Sequence, residues 1–209
     1  MTRMVADLRM LQRLNAETEG HHGEADADLD RYVFRDDVTR THYRTYLARL
    51  YGFIVPLEHA LQHTPGLDDI IDLQARSKSA TLLYDLLALG MTLQDVAELP
   101  QCLSIPAFKG PAAALGWMYV AERPMLQAAV IRSHLEAHLG GNLSAAMAYL
   151  SSYSGQCGQR WRELGEAMDR VGASGVLADR ITTAANEAFR CLLRWKTQDV
   201  SRSHIRAAV

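Results

Sequence analysis

Thr39-Arg40-Thr41-His42-Tyr43-Arg44-Thr45-Tyr46-Leu47-Ala48-Arg49-Leu50-Tyr51-Gly52-Phe53-Ile54-Val55-Pro56-Leu57-Glu58 is the stretch that decides the fold class. Tyr43, Leu47, Leu50, Tyr51, Ile54 and Leu57 recur at helical intervals, so the spacing predicts a helix from Thr39 to about Gln62. Pro56 falls inside the pattern and predicts either a kink or a second helix starting there. The same periodicity runs outward in both directions. Towards the N-terminus, a helix from Met4 to His22 places Leu8, Leu11, Thr18 and His22 on one face. Thr64-Pro65-Gly66 marks a loop, and Asp69 to Leu89 reads as a helix stopped by Gly90. A short turn spans Thr92 to Leu99. A long apolar segment from Ala112 to Leu139 contains Pro124 and ends at Gly140-Gly141. Helices over Leu143 to Val171, broken near Ser154-Gly155, and over Val176 to Lys196 complete the pattern. Period-two alternation and internal repeats are missing. The expectation is one all-α multihelical domain over residues 1–196, with six or seven main helices and a polar, flexible tail over residues 197–209.

Composition narrows the function classes. Hydrophobic residues form 48% and charged residues 22% of 209, which suits a globular chain with a sizeable core. A net charge of -2 supplies no general attraction to nucleic acid or anionic lipid. No apolar run approaches the roughly 20 residues that span a bilayer. The first residues alternate charge with apolar groups, unlike a signal peptide. Cys102, Cys157 and Cys191 are widely spaced and lack a CxxC, which suits buried thiols in a reducing compartment. The expected location is the cytoplasm, with neither nucleic acid nor membrane as a partner.

Thr18-Glu19-Gly20-His21-His22 carries the most informative chemistry. An imidazole on an apolar helix face can offer a free nitrogen to a metal, whereas one at a helix end can cap carbonyls through its charge. Both readings of His22 stand on its spacing alone. His21 lies about 100° further round the helix and is expected to face solvent. His59/His63 and His134/His138 are i,i+4 pairs without HExxH, expected as exposed pairs. Glu19-x-x-His22 is half of a di-iron carboxylate signature, and a second Glu-x-x-His is not found.

A wider resemblance emerges when the pieces are set in order. Leu14-x-x-x-Thr18-x-x-x-His22 is followed by Tyr43-x-x-Tyr46-Leu47-x-x-Leu50-Tyr51-Gly52-Phe53-x-x-Pro56-Leu57-Glu58. Arg76-x-Lys78-x-x-x-Leu82-x-x-Asp85-Leu86-x-x-Leu89-Gly90 comes next. Leu115-Gly116-x-x-Tyr119-Val120-x-Glu122 follows, with Ala184 and Phe189 near the end. Together these resemble the haem oxygenases, most closely the bacterial branch that supplies biliverdin to bacteriophytochromes. The resemblance implies oxidative cleavage of haem to biliverdin, CO and Fe(II), haem being substrate and cofactor at once. It implies electrons from a ferredoxin, a reductase or ascorbate, and a bacteriophytochrome apoprotein as recipient of the product.

The resemblance assigns His22 as the proximal iron ligand, with Thr18, Ala25 and Asp26 along that wall. Tyr119 and Phe189 line the pocket. Asn15 stands where the family commonly carries a basic residue, so Arg160 and Arg162, around Trp161, become the propionate partners. The distal wall departs from the pattern. Arg123, Gln127 and Ala128 occupy the positions of glycines that let the distal backbone approach a porphyrin. Pro124 supplies a bend or starts a new helical segment. Polar side chains at Arg123 and Gln127 either hold water over the iron or fill its oxygen site. The alternative reading is therefore a non-catalytic haem- or tetrapyrrole-binding protein of the same fold.

Overall fold

The computed structural model describes residues 8–197. It is all helical among those residues: α1 Arg9–Tyr32, α2 Arg40–Gln62, α3 Ser79–Ala88, α4 Leu93–Ala97, α5 Pro111–Glu122, α6 Ala128–Leu139, α7 Ala148–Ser151, α8 Cys157–Val171 and α9 Gly175–Thr197. Three 3-10 turns, Gln74–Arg76, Arg123–Gln127 and Gly141–Ala146, join them.

Local chemistry accounts for many of the boundaries. Thr39 caps α2 by accepting from the His42 amide at 3.2 Å. The helix then runs unbroken through Pro56 to Gln62. Thr92 and Asp95 form a capping box at the start of α4. Gly90 takes φ +91° after α3, a conformation that an L side chain disfavours, and so ends that helix as expected.

Two expected spans are corrected, and the two expected breaks, at Pro124 and near Ser154-Gly155, are found. The first helix does not end at His22. It continues to Tyr32, because Ala25 and Leu29 extend its buried stripe. Its expected start at Met4 lies outside the described residues. Asp69 to Leu89 is not one helix, since side chains take the backbone donors first. Asp72 accepts from the Ala75 amide at 2.9 Å, and Glu58 accepts from the amides of Lys78 and Ser79 at the start of α3. The span from Ala112 to Leu139 is cut by the Arg123–Gln127 3-10 turn, where Pro124 removes a donor. Leu143 to Val171 divides into a 3-10 turn, α7 and α8, with Gly155 at φ +72° before α8.

The centre of the molecule is the contact of α5 with α9. At Gly116 a Cβ would overlap the Ile181 carbonyl and the Ala185 amide of α9, so the two backbones touch there. Gly52 allows a second close approach, by the Pro100 carbonyl and the Trp195 ring. α1 lies across α9 and α8, and α2 lies against α3. A buried ionic group ties three of these helices together. Arg49 of α2 bonds Asp28 of α1 at 3.3 Å, and Lys196 of α9 lies 3.5 Å from the same carboxylate. The expected tail beyond Thr197 lies outside the described residues.

Candidate functional site at the first helix

Thr18 and His22 lie one turn apart on α1, so their side chains meet. The Thr18 hydroxyl donates to the Leu14 carbonyl at 2.7 Å and lies 3.0 Å from His22 Nε2. Its single proton is committed to Leu14, so Nε2 is the donor in the second bond and Nδ1 keeps its unshared pair. Nδ1 has no hydrogen-bond partner among the described residues. Burial and the Arg123 guanidinium hold the His22 pKa below its ordinary value, against the opposite pull of Asp26 and Glu19. The ring is therefore neutral at pH 7, the form that ligates a metal.

A chain of aromatic rings leads away from this imidazole. Phe189, buried on α9, lies 5.6 Å from the His22 ring. Tyr119 on α5 meets Phe189 edge-on at 6.3 Å. Trp161 on α8 is 5.6 Å from Tyr119. The expected residues Thr18, His22, Tyr119 and Phe189 thus come together from three helices. Two further residues belong to the group. His21 does not face solvent as expected: its Nε2 donates to Asn186 Oδ1 at 3.0 Å and its ring stacks on Phe189 at 5.4 Å. His21 does lie on a different face of α1 from His22, and α9 covers that face as well.

Arg123 crosses from the 3-10 turn to this cluster. Its guanidinium sits 5.9 Å from the Phe189 ring centre, and Nη1 is 3.7 Å from Asp26 Oδ1. Asp26 is thereby joined to the Arg123–Gln127 turn, while Ala25 is buried one residue before it and its carbonyl accepts from Lys196. Ala128 is placed differently. It lines a cavity of about 360 Å³ with Met125, Arg132, Leu150, Tyr153 and Cys157, and no residue of α1 contributes to that lining. Gln127 is half-buried, and its side chain makes no hydrogen bond among the described residues.

Arg160 and Arg162 are not brought to His22 by any described contact. Arg160 Nη1 bonds Glu163 at 3.1 Å, and its carbonyl accepts from Arg76 Nη2 at 2.7 Å. Arg162 is exposed and unpaired among the described residues.

Arg160 borders a buried charged network that spacing alone could not show. Lys78 Nζ donates to Glu122 at 2.8 Å, to Tyr153 Oη at 2.9 Å and to the Arg76 carbonyl at 2.9 Å. Arg76 lies 3.8 Å from the same Glu122 carboxylate. Glu122 immediately precedes Arg123, so the network anchors the start of the Arg123–Gln127 turn. Asp85 serves elsewhere, accepting from the amides of Ala148 and Tyr149 at 2.8 Å each. Burial raises its pKa to about 6. The signal in the sequence was present, since Arg76, Lys78, Asp85 and Glu122 are the polar positions of the ordered motifs.

The His59/His63 pair is exposed at the C-terminal end of α2, with its rings 4.3 Å apart. His134 and His138 stack at 4.1 Å, with His134 turned towards the Arg35 carbonyl.

The geometry agrees with what the chain is similar to. A haem oxygenase family model matches residues 8–198. The NO- and CO-bound haem oxygenase of Neisseria meningitidis shares the fold, with a TM-score of 0.63 at 20% identity over 96% of this chain and 98% of that one. Comparison with curated proteins gives no match. With almost the whole described chain inside the family pattern, and its ordered motifs accounting for the α5–α9 contact and the buried network, the protein is a member of the haem oxygenase family.

Proposed function

We propose that this protein binds haem between α1 and the Arg123–Gln127 turn, with His22 on the iron, and cleaves it to biliverdin, CO and Fe(II). The observation that carries the reading is the neutral His22 imidazole, held by Thr18 and retaining one unprotonated nitrogen. The residues present suit the group. Phe189, Tyr119 and Trp161 offer apolar ring faces, and a neutral imidazole is the ligand that haem iron takes in this kind of site. Haem supplies the oxygen chemistry when bound, and the protein supplies its ligand, its orientation and a hydrogen-bonded distal wall.

On this reading Thr18 orients the ligand. Arg123 and Gln127 are the polar groups of the distal wall, with Ala128 on the same segment. Arg160 and Arg162 are the candidates for pairing with propionates. Electrons come from a ferredoxin or a reductase, for which ascorbate substitutes in vitro. The order of the sequence motifs supports delivery of biliverdin to a bacteriophytochrome apoprotein. Three free thiols support a cytoplasmic setting, and no described helix is long and apolar enough to cross a membrane.

The contact of Arg123 with Asp26 and Phe189 favours a second reading, in which haem is bound and not cleaved. Ferric haem titrated into the protein is expected to give a Soret band. Ascorbate, or reduced ferredoxin, in air is then expected to replace that band with bilin absorption and to release CO. A Soret band that persists for hours under reduction would leave only the binding protein. Its failure to form would refute both readings.

A further inference from the structure

The three thiols are of two kinds. Cys157 on α8 is half-buried, donates to the Met125 carbonyl at 3.2 Å, and has its pKa raised by burial. Cys102 and Cys191 are both buried, and their sulfurs lie 3.7 Å apart although 89 residues separate them in the chain. Cys191 is on α9, two residues after Phe189. Cys102 lies in the non-helical stretch between α4 and α5, where its amide donates to the Gly52 carbonyl at 2.8 Å. Two elements distant in sequence therefore hold the pair together.

The environment separates their roles. Arg194 turns positive charge towards both sulfurs. Hydrogen bonding from Cys191 lowers the Cys102 pKa to about 7, while the Cys191 thiol is pushed up. One sulfur is thus the nucleophile and the other the resolving thiol. Access also differs. Cys102 lines an open cavity of about 580 Å³ beside Pro56, Ile105 and Phe108, so a small oxidant can reach it without unfolding the core.

We propose that Cys102 and Cys191 form a reversible dithiol–disulfide site oxidised by hydrogen peroxide. The Cys102 sulfur attacks one peroxide oxygen. The O–O bond breaks, a sulfenic acid forms, and the first water leaves with the thiol proton. The Cys191 sulfur then attacks the sulfenic sulfur, the S–O bond breaks, and the second water leaves with the second thiol proton. Two thiols have lost two electrons in all, and the peroxide oxygens have gained them. Closing the sulfurs from 3.7 Å to the roughly 2.05 Å of a disulfide requires movement of one partner. The stretch between α4 and α5 can supply it, being non-helical with Leu103 fully in solvent. The product ties that stretch to the helix that carries Phe189.

The test is treatment of the purified protein with a few equivalents of hydrogen peroxide, read by intact mass, thiol titration and peptide mapping. The expected result is loss of two hydrogens, one titratable thiol remaining of three, and a Cys102–Cys191 cross-linked peptide. Closing so long a loop is expected to raise Tm by roughly 5–15 °C, reversed by dithiothreitol. Cys157→Ser should react identically. Cys191→Ser should give no cross-link and should gain oxygen at Cys102 instead. If that variant does not fold, the peptide map of Cys157→Ser decides alone. Gain of oxygen in the wild type without loss of hydrogen would overturn the proposal. So would a cross-link through Cys157, or the absence of any reaction at Cys102.

Discussion

Arg123 offers the sharpest test of the proposed haem site. Its guanidinium reaches from the turn after α5 to Asp26 on α1 and to the Phe189 ring, which itself packs against His22. If haem binds at His22 as proposed, its entry breaks both contacts. The ion pair is 3.7 Å long, and its side chains are 18% and 35% exposed, so solvent screening leaves it about 0.5 kcal/mol. The cation–π contact adds about 0.5–1 kcal/mol. Removing the strap with Arg123→Ala should therefore tighten haem binding by about 1–1.5 kcal/mol, or roughly 5–10-fold. The assay is a Soret titration of both proteins at low and moderate ionic strength. Salt weakens the exposed pair, so the wild type should approach the variant as salt rises. Weaker haem binding by Arg123→Ala would refute the strap. It would show instead that the guanidinium pairs with the bound substrate.

Three further outcomes follow from the packing and the buried charges. Gly116→Ala drives a methyl group into the α9 backbone at Ile181 and Ala185 and should cost about 2–4 kcal/mol in urea unfolding; a loss under 1 kcal/mol would mean that the helices separate easily there. Lys78→Met leaves Glu122 buried without its closest cation and should cost about 3–5 kcal/mol, much of it recovered when Glu122→Gln is added. No recovery in the double variant would contradict the pairing. Asp85 has a folded pKa near 6, raised by burial above its ordinary unfolded value. Its protonation thus stabilises the fold below about pH 4, and that contribution is lost as pH rises through 6. Relative to Asp85→Asn, the wild type should gain about 1 kcal/mol between pH 7.5 and pH 5. A pH-independent difference would remove burial as the cause.

Helix positions were legible where a cap and a periodic stripe coincide. Thr39 with the Tyr43–Leu57 recurrence located α2, and Gly90 located the end of α3. The sequence misleads where polar residues interrupt a stripe that nevertheless continues. Gly20, Gly23 and Glu24 look like a stop, but Ala25 and Leu29 still face the core and carry α1 to Tyr32. Ile70, Ile71 and Leu73 mimic a helix, yet Asp72 and Glu58 bind the backbone donors that a helix would use. At the site, one-helix relations such as Thr18 to His22 follow from spacing. Cross-helix relations do not. The Asn186 partner of His21 and the Arg123 contact with Asp26 depend on how α9 and the 3-10 turn meet α1. Burial of Lys78 with Glu122 was hidden for the same reason, because a charged residue on a helix reads as solvated until its neighbours are known.

The most direct test of the central claim is the ferric-haem complex of His22→Ala compared with the wild type, by absorption and electron paramagnetic resonance. The wild type should give a spectrum with one histidine on the iron. That spectrum should be lost in His22→Ala and recovered on adding free imidazole. An unchanged axial-ligand signature in the variant would contradict the assignment of His22 and, with it, the placing of haem between α1 and the Arg123 turn.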